Sequence, residues 1–235
     1  MNTKLTASLL ILAAVLANVG FTALGSIFNY PDVLDEPAGQ VLAAFHDNEG
    51  AVSMWFTVLA LSAALFAPIA IGVGRLSTQR AMRIAVPVGI AAAVVQVIGL
   101  LRWPILVPGY ASDAVGGNAA VAAAARDSFT TASDILGTAI GETVGYLLTA
   151  TWTALVIVAL GRRYAGRWFV VLGGVSAGLV LVGVLSPLGL PVIDTANFFG
   201  YVLWSLWLIA LAVTMLVHDR RRVASPARSQ ASVTT

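Results

Sequence analysis

Six apolar runs, each bounded by charged or turn-forming residues, constrain this chain more than any other feature. They are Leu5 to Phe28, Gly50 to Gly74, Ile84 to Val107, Ile135 to Leu160, Trp168 to Ile193 and Ala196 to Val217. About 20 apolar residues cross the roughly 30 Å hydrocarbon core of a bilayer, and every run reaches that length. An unpaired backbone amide or carbonyl facing lipid costs several kcal/mol, so each run has to be helical. With 59% hydrophobic and 10% charged residues, the chain carries more apolar surface than one soluble core encloses. The expected fold class is therefore all-α: an integral membrane bundle of six transmembrane helices over residues 1–222. A Ser-, Ala- and Thr-rich tail, 223–235, has nothing to bury and is expected to be a disordered cytoplasmic segment.

Arginine placement sets the expected orientation, because basic residues near span ends are retained on the cytoplasmic side. With the N- and C-termini cytoplasmic, Lys4, Arg75, Arg80, Arg83, Arg162, Arg163, Arg167, Arg220, Arg221, Arg222 and Arg228 all lie inside. The outer side then receives Asp32, Asp35, Glu36, Asp47, Glu49, Asp113, Asp127 and Asp194, and of the acidic residues outside the spans only Asp219 stays inside. A competing reading takes the first run as a cleaved signal peptide, with Lys4 as its charged region and Val15-Leu16-Ala17 as the cleavage site. The apolar stretch runs well past Ala17, which favours a span. The excess of Arg over Lys, with abundant Ala, Val and Gly, points to a GC-rich bacterial genome and hence to a bacterial inner membrane.

Two outer loops are long enough to hold structure. In the first, Asp35-Glu36-Pro37 reads as a helix start, and Val41, Leu42 and Phe45 share one face, which predicts a short amphipathic helix. In the second, Gly116-Gly117 breaks the chain and Asn118 is placed to cap an Ala-rich helix leading into the fourth span. The spans divide into two inverted sets of three, without a sequence repeat to support a repeat-built transporter.

Ionisable groups at membrane depth need a partner, water or a function. Arg102 stands near the outer end of the third span, and Glu142 lies within the fourth. Asp134, Thr138, Glu142, Gly145 and Thr149 recur at three- and four-residue spacing, which on an α-helix draws one polar or small stripe. Arg102 is thus expected to pair with Glu142 or Asp134, either as a structural ion pair or as the lining of a ligand or proton pathway open to the outer side. Asp194 and Asn197 follow the fifth span, where they either cap the sixth helix or contribute to an outer site. Asn18 and Gln96 are expected to form hydrogen bonds between helices. Gly174 and Gly178 make a small-xxx-small pair suited to packing within the bundle, and Trp55, Trp103, Trp168 and Tyr201 fit an aromatic belt facing lipid headgroups.

Several function classes fall away. The chain has no cysteine, so thiolate metal sites and thiol catalysis are excluded. His46 and His218 fall on opposite sides of the membrane, and the one lysine, Lys4, cannot form a Schiff base inside the bundle. No phosphate loop or nucleophile elbow occurs. No metal, cofactor or nucleic-acid partner is expected. Membrane lipids, a small hydrophobic or ionic ligand, further copies of the chain or a larger membrane complex are the partners this composition fits.

The segments Phe28-Asn29-Tyr30-Pro31-Asp32-Val33-Leu34 and Leu100-Leu101-Arg102-Trp103-Pro104 resemble those of a bacterial multi-span membrane family, domain of unknown function family 4386. The resemblance runs from the first span to the sixth. It implies a multi-span membrane protein and brings no reaction or ligand. It also implies an outward-facing centre, functional or structural, at Tyr30, Pro31, Asp32, Trp103 and Pro104. The expected activity is non-enzymatic: small-molecule or ion handling, sensing or an accessory role. Two alternatives are a purely structural subunit and an intramembrane enzyme acting on a lipid or isoprenoid. In such an enzyme Glu142 or Asp134 would serve as general acid or base, with Arg102 holding an anionic headgroup.

Overall fold

A computed structural model describes residues 2–231, with side chains described as far as Arg221. Six helical segments are long and apolar enough to cross a membrane: Thr3–Phe28, Glu49–Leu76, Arg80–Gly116, Ala119–Ala165, Arg167–Leu188 and Pro191–Arg221. Their outward surface is apolar, with Leu12, Leu61, Val94, Leu147, Val158, Val171 and Val213 all exposed, as a bilayer solvent requires.

The spans are built on α1 (Thr3–Phe28), α3 (Glu49–Val73), α4 (Arg80–Ile105), α7 (Gly145–Ala165), α8 (Arg167–Val182) and α9 (Pro191–Ala231), with α2 (Ala38–Asp47), α5 (Val107–Gly116) and α6 (Ala119–Ala132) between them. Helix α1 packs on α3, α3 on α4, α4 on α7, α7 on α8, α8 on α9, and α9 back on α1, which closes a ring. The short helices α2, α5 and α6 pack on one another at one end of that ring and form a cap. Val41, Leu42 and Phe45 are the buried face of α2, as its amphipathic spacing predicts. Asn118 caps α6, its side-chain oxygen accepting from the Ala120 and Val121 amides at 3.1 Å. Asn2 caps α1 in the same way, and Asn29, left-handed at φ 50, ends it.

Burial divides the interior in two. One core, at the arginine-bearing end, gathers Phe66, Trp152, Phe169 and Trp207 with Leu10, Met82 and Leu211. The other, under the cap, gathers Phe28, Phe45, Phe56, Trp103 and Phe129. Polar side chains of α4, α7 and α9 fill the level between them.

Some boundaries and contacts depart from the sequence reading. The fifth span ends in a 3-10 turn, Gly183–Leu188, so Pro191 to Ile193 opens the sixth helix instead of closing the fifth. Neither Asp194 nor Asn197 therefore caps that helix: Asp194 lies in its first turn and Asn197 further in. Asn18 donates to the Ala14 carbonyl of its own helix at 2.7 Å, whereas Gln96 does reach across to Thr149. Gly174 and Gly178 face open space: a methyl added at either would have nothing within 4 Å, so they are not the glycines that bring helices together. Helix α9 is helical to Ala231, and the expected unstructured tail at 223–235 falls on this end and beyond the described residues.

Candidate functional site

The site begins where the first span ends. Left-handed Asn29 turns the chain back on itself, and the Tyr30 amide donates to the Leu24 carbonyl at 3.3 Å. Tyr30, followed by a cis peptide to Pro31, is turned toward α4. There Trp103 is 0% exposed, surrounded by Phe56 at 4.6 Å in parallel stacking, Phe28 at 5.3 Å, Phe45 at 5.9 Å, Phe129 at 6.0 Å and Tyr30 at 6.4 Å. The two motifs thus meet in one aromatic cluster. Trp103 is a core residue, not part of a lipid-facing belt: its face of α4 looks at α1, α3 and the cap. Trp168, by contrast, is exposed. Pro31 and Asp32 are exposed beside the cluster, and Pro104 continues α4 as an internal proline.

The fourth span supplies the opposite wall through an unusual element. Ser133–Val144 is a π-helix joining α6 to α7. Its i to i+5 hydrogen bonds widen the turn and change which residues share a face. Gly137, Gly141 and Gly145 carry this wall against α4, so that of the Asp134 to Thr149 stripe Gly145 and Thr149 meet α4 while Asp134 is turned away. A methyl on Gly99 would lie 2.8 Å from the Gly141 Cα, and one on Gly145 would lie 3.2 Å from Gln96. Asp134 is left exposed and Glu142 half-buried.

Arg102 lies across Gly137 and is 7% exposed. One terminal nitrogen, Nη1, donates to the Gly99 carbonyl at 2.7 Å, while Nε is buried without a partner. Glu142 acts on it through space, as do Tyr30 and Tyr146. Its direct contacts are therefore the Gly99 carbonyl and the Trp103 ring, whose centroid lies 5.3 Å from the guanidinium carbon, and among the described residues no carboxylate lies within the 4.0 Å of an ion pair. Tyr30, just outside the first span, has its phenol pushed up to about 12 by burial first and by Glu142 second, with Arg102 opposing.

A polar column descends from this point into the bundle. Gln96 donates to the Thr149 hydroxyl at 2.8 Å, the Tyr201 hydroxyl also engages Thr149, and Trp204 donates to the Thr153 hydroxyl at 2.8 Å. The Tyr146 and Tyr201 rings stand 5.7 Å apart. Below the column Phe66 meets Trp152 at 4.7 Å and Trp204 at 5.4 Å, and Trp152 meets Trp207 at 5.9 Å, so aromatic rings pack beneath it. Asn197 donates to the Val180 carbonyl at 2.9 Å and ties α9 to α8. Asp194 is exposed and reaches Glu142 and Tyr146 only through space.

Sequence reasoning missed Tyr146, although it follows Glu142 by one turn. Tyr201, which by its position fits a lipid-facing belt, instead points its hydroxyl into the column. Elsewhere His46 is exposed, and His218 stacks on Tyr164 at 4.7 Å near the arginine end.

The domain of unknown function family DUF4386 matches residues 5–212, a range holding both motifs, the π-helix and all or most of each of the six spans. The chain belongs to this family. No curated protein and no solved structure matches it. In this DUF4386 chain the motif residues Tyr30, Arg102 and Trp103 are brought to one place, and the π-helix of the fourth span faces them.

Proposed function

We propose that this DUF4386 protein is a multi-pass protein of a bacterial cell membrane, with both termini cytoplasmic, that binds a small polar or charged molecule from the outer side without transforming it. The cap of α2, α5 and α6 then lies outside, and the binding groups are Arg102, Glu142, Tyr30 and Tyr146. The position of these groups beneath the cap, with aromatic rings packed below them, supports a role in small-molecule handling or sensing.

The observation that carries this reading is the state of Arg102. Removing a guanidinium from water costs several kcal/mol unless its donors are matched. Here one carbonyl and the face of the Trp103 ring, 5.3 Å from the guanidinium carbon, answer it, and Nε has no acceptor. A purely structural arginine at this depth would be expected to hold a carboxylate, and Glu142 is close enough to act on it yet makes no ion pair with it. A ligand supplies the missing acceptor, while Glu142 and the two tyrosine hydroxyls set its polarity.

Native mass spectrometry of the protein in mild detergent tests the proposal. A co-purifying molecule retained by the native chain, and lost from both Arg102→Gln and Glu142→Gln with each variant still folded, is the expected result. Retention of the same molecule by both folded variants would overturn it.

A further inference from the structure

We infer that the molecule seated at Arg102 is an amphiphilic monoanion: a singly charged oxyanion such as a carboxylate, joined to an apolar body that lies in the groove between α4–α5 and α6 with its π-helical continuation. This rests on the reading of the Arg102 region as a binding site and adds the chemical class of its ligand.

The groove has a volume of about 520 Å³, within the range that takes an organic ligand. Its walls are largely apolar, with Leu106, Ala132, Ile135 and Leu136 contributing. Two of these residues fix its position relative to Arg102. The Leu106 amide donates to the Arg102 carbonyl at 2.8 Å, which puts Leu106 one turn further along the same face of the helix. Leu136 immediately precedes Gly137, over which the guanidinium lies. One end of the groove therefore lies one helical turn from Arg102 along one wall and one residue from Gly137 along the other.

The guanidinium has an edge to spare. Nη1 is committed to the Gly99 carbonyl, and Nε, on the other side of the fork, is buried without an acceptor. The edge formed by Nε and Nη2 is the one that takes a two-oxygen anion in parallel hydrogen bonds. Gly137 is what makes the approach possible, because a methyl there would stand 2.7 Å from Nη2.

Charge around the site limits the anion to one negative charge. Asp127 stands on the groove wall, so a charged head is disfavoured along the groove and favoured at its arginine end. Glu142 already shares the field of Arg102, so a second charge on the ligand would meet one carboxylate beside one cation. Tyr30 and Tyr146 also act on Arg102 through space, and each brings a hydroxyl that can donate to a single oxyanion. An apolar chain with no charge would leave the arginine unanswered, and a small anion with no chain would leave the groove empty.

The test uses the full-length protein in a neutral detergent with three probes: hexadecanoate, hexadecanol and acetate. Binding is read by native mass spectrometry and by the rise in unfolding temperature. Hexadecanoate is expected to bind at least tenfold more tightly than either of the others. That preference should fall at least tenfold in Arg102→Gln and, independently, in Ala132→Trp, which fills the groove without touching the charge. The second variant keeps the test decisive if the first does not fold. Acetate binding as tightly as hexadecanoate, with Ala132→Trp without effect, would overturn the amphiphile while leaving an anion site at Arg102. Hexadecanoate binding that ignores both substitutions, or equals that of hexadecanol, would overturn the inference as simple partitioning. Failure of all three probes would overturn it too, and a different molecule still retained by the native chain would then uphold the binding site alone.

Discussion

Substituting alanine for glycine at three places in the bundle separates packing, ligand binding and chain propensity. At Gly99 the new methyl would lie 2.8 Å from the Gly141 Cα and 3.0 Å from the Leu136 carbonyl oxygen. Both are backbone atoms of the π-helix, so no side chain can swing away and the two helices must part. Overpacking of this kind costs about 1–3 kcal/mol, and roughly 0.5–1 kcal/mol returns because alanine is the better helix former. Gly99→Ala should therefore lose up to about 2 kcal/mol net. At Gly174 nothing lies within 4 Å, so only the propensity gain of roughly 0.5–1 kcal/mol remains. At Gly137 the methyl would meet the Arg102 guanidinium at 2.7 Å, the far end of a flexible side chain. Gly137→Ala is expected to keep most of its stability and to displace the arginine, weakening ligand binding. Unfolding in mixed micelles, followed by tryptophan fluorescence, measures the first two effects, and ligand retention measures the third. If Gly99→Ala proves as stable as Gly174→Ala, the close approach of α4 and the π-helix is wrong, and with it the placement of Arg102.

Trp103→Ala removes the centre of five ring contacts and should cost roughly 3–5 kcal/mol in the same unfolding assay, whereas Trp103→Phe, which keeps a ring there, should cost clearly less. Asn197→Ala removes the side-chain hydrogen bond to the Val180 carbonyl that ties α9 to α8 and is expected to cost about 1 kcal/mol, with ligand retention unchanged. The Tyr30 phenol, raised to about 12, holds its proton more tightly in the folded state than an exposed tyrosine of pKa about 10 does. Its contribution to stability is thus whole below about pH 10 and is lost as pH rises toward 12. An alkaline stability titration of the native chain should show that loss, and Tyr30→Phe should remove it.

Much of the architecture was legible in the chain alone. Apolar runs of span length leave the backbone no choice but helix in lipid, and that dictated the six spans without any knowledge of how they meet. Local capping chemistry was equally readable, since Asn118 satisfies amides only two and three residues away. The face of α2 followed from Val41, Leu42 and Phe45, because helix period is a property of the segment itself. Arg102 and Glu142 were identifiable as costly groups at depth from composition and position.

Tertiary structure decided what those groups do. Whether Trp103 looks at lipid or at a core depends on the rotation of α4 within the ring, which no local pattern encodes. Gly174 and Gly137 sit in equally plausible small-residue spacings, yet of the two only Gly137 faces a neighbour, and a close contact of the fifth span falls to the adjacent Gly173, against Trp207. The π-helix shifts the phase of Ser133–Val144 and turns Asp134 outward while leaving Glu142 within range of Arg102. A polar stripe drawn at α-helical spacing cannot anticipate that shift, because the extra residue per turn is selected by packing against α4. Residue type and position mark which side chains are expensive to bury; the folded ring buries Arg102 beside a glycine, with one carbonyl, the face of Trp103 and an unpartnered Nε.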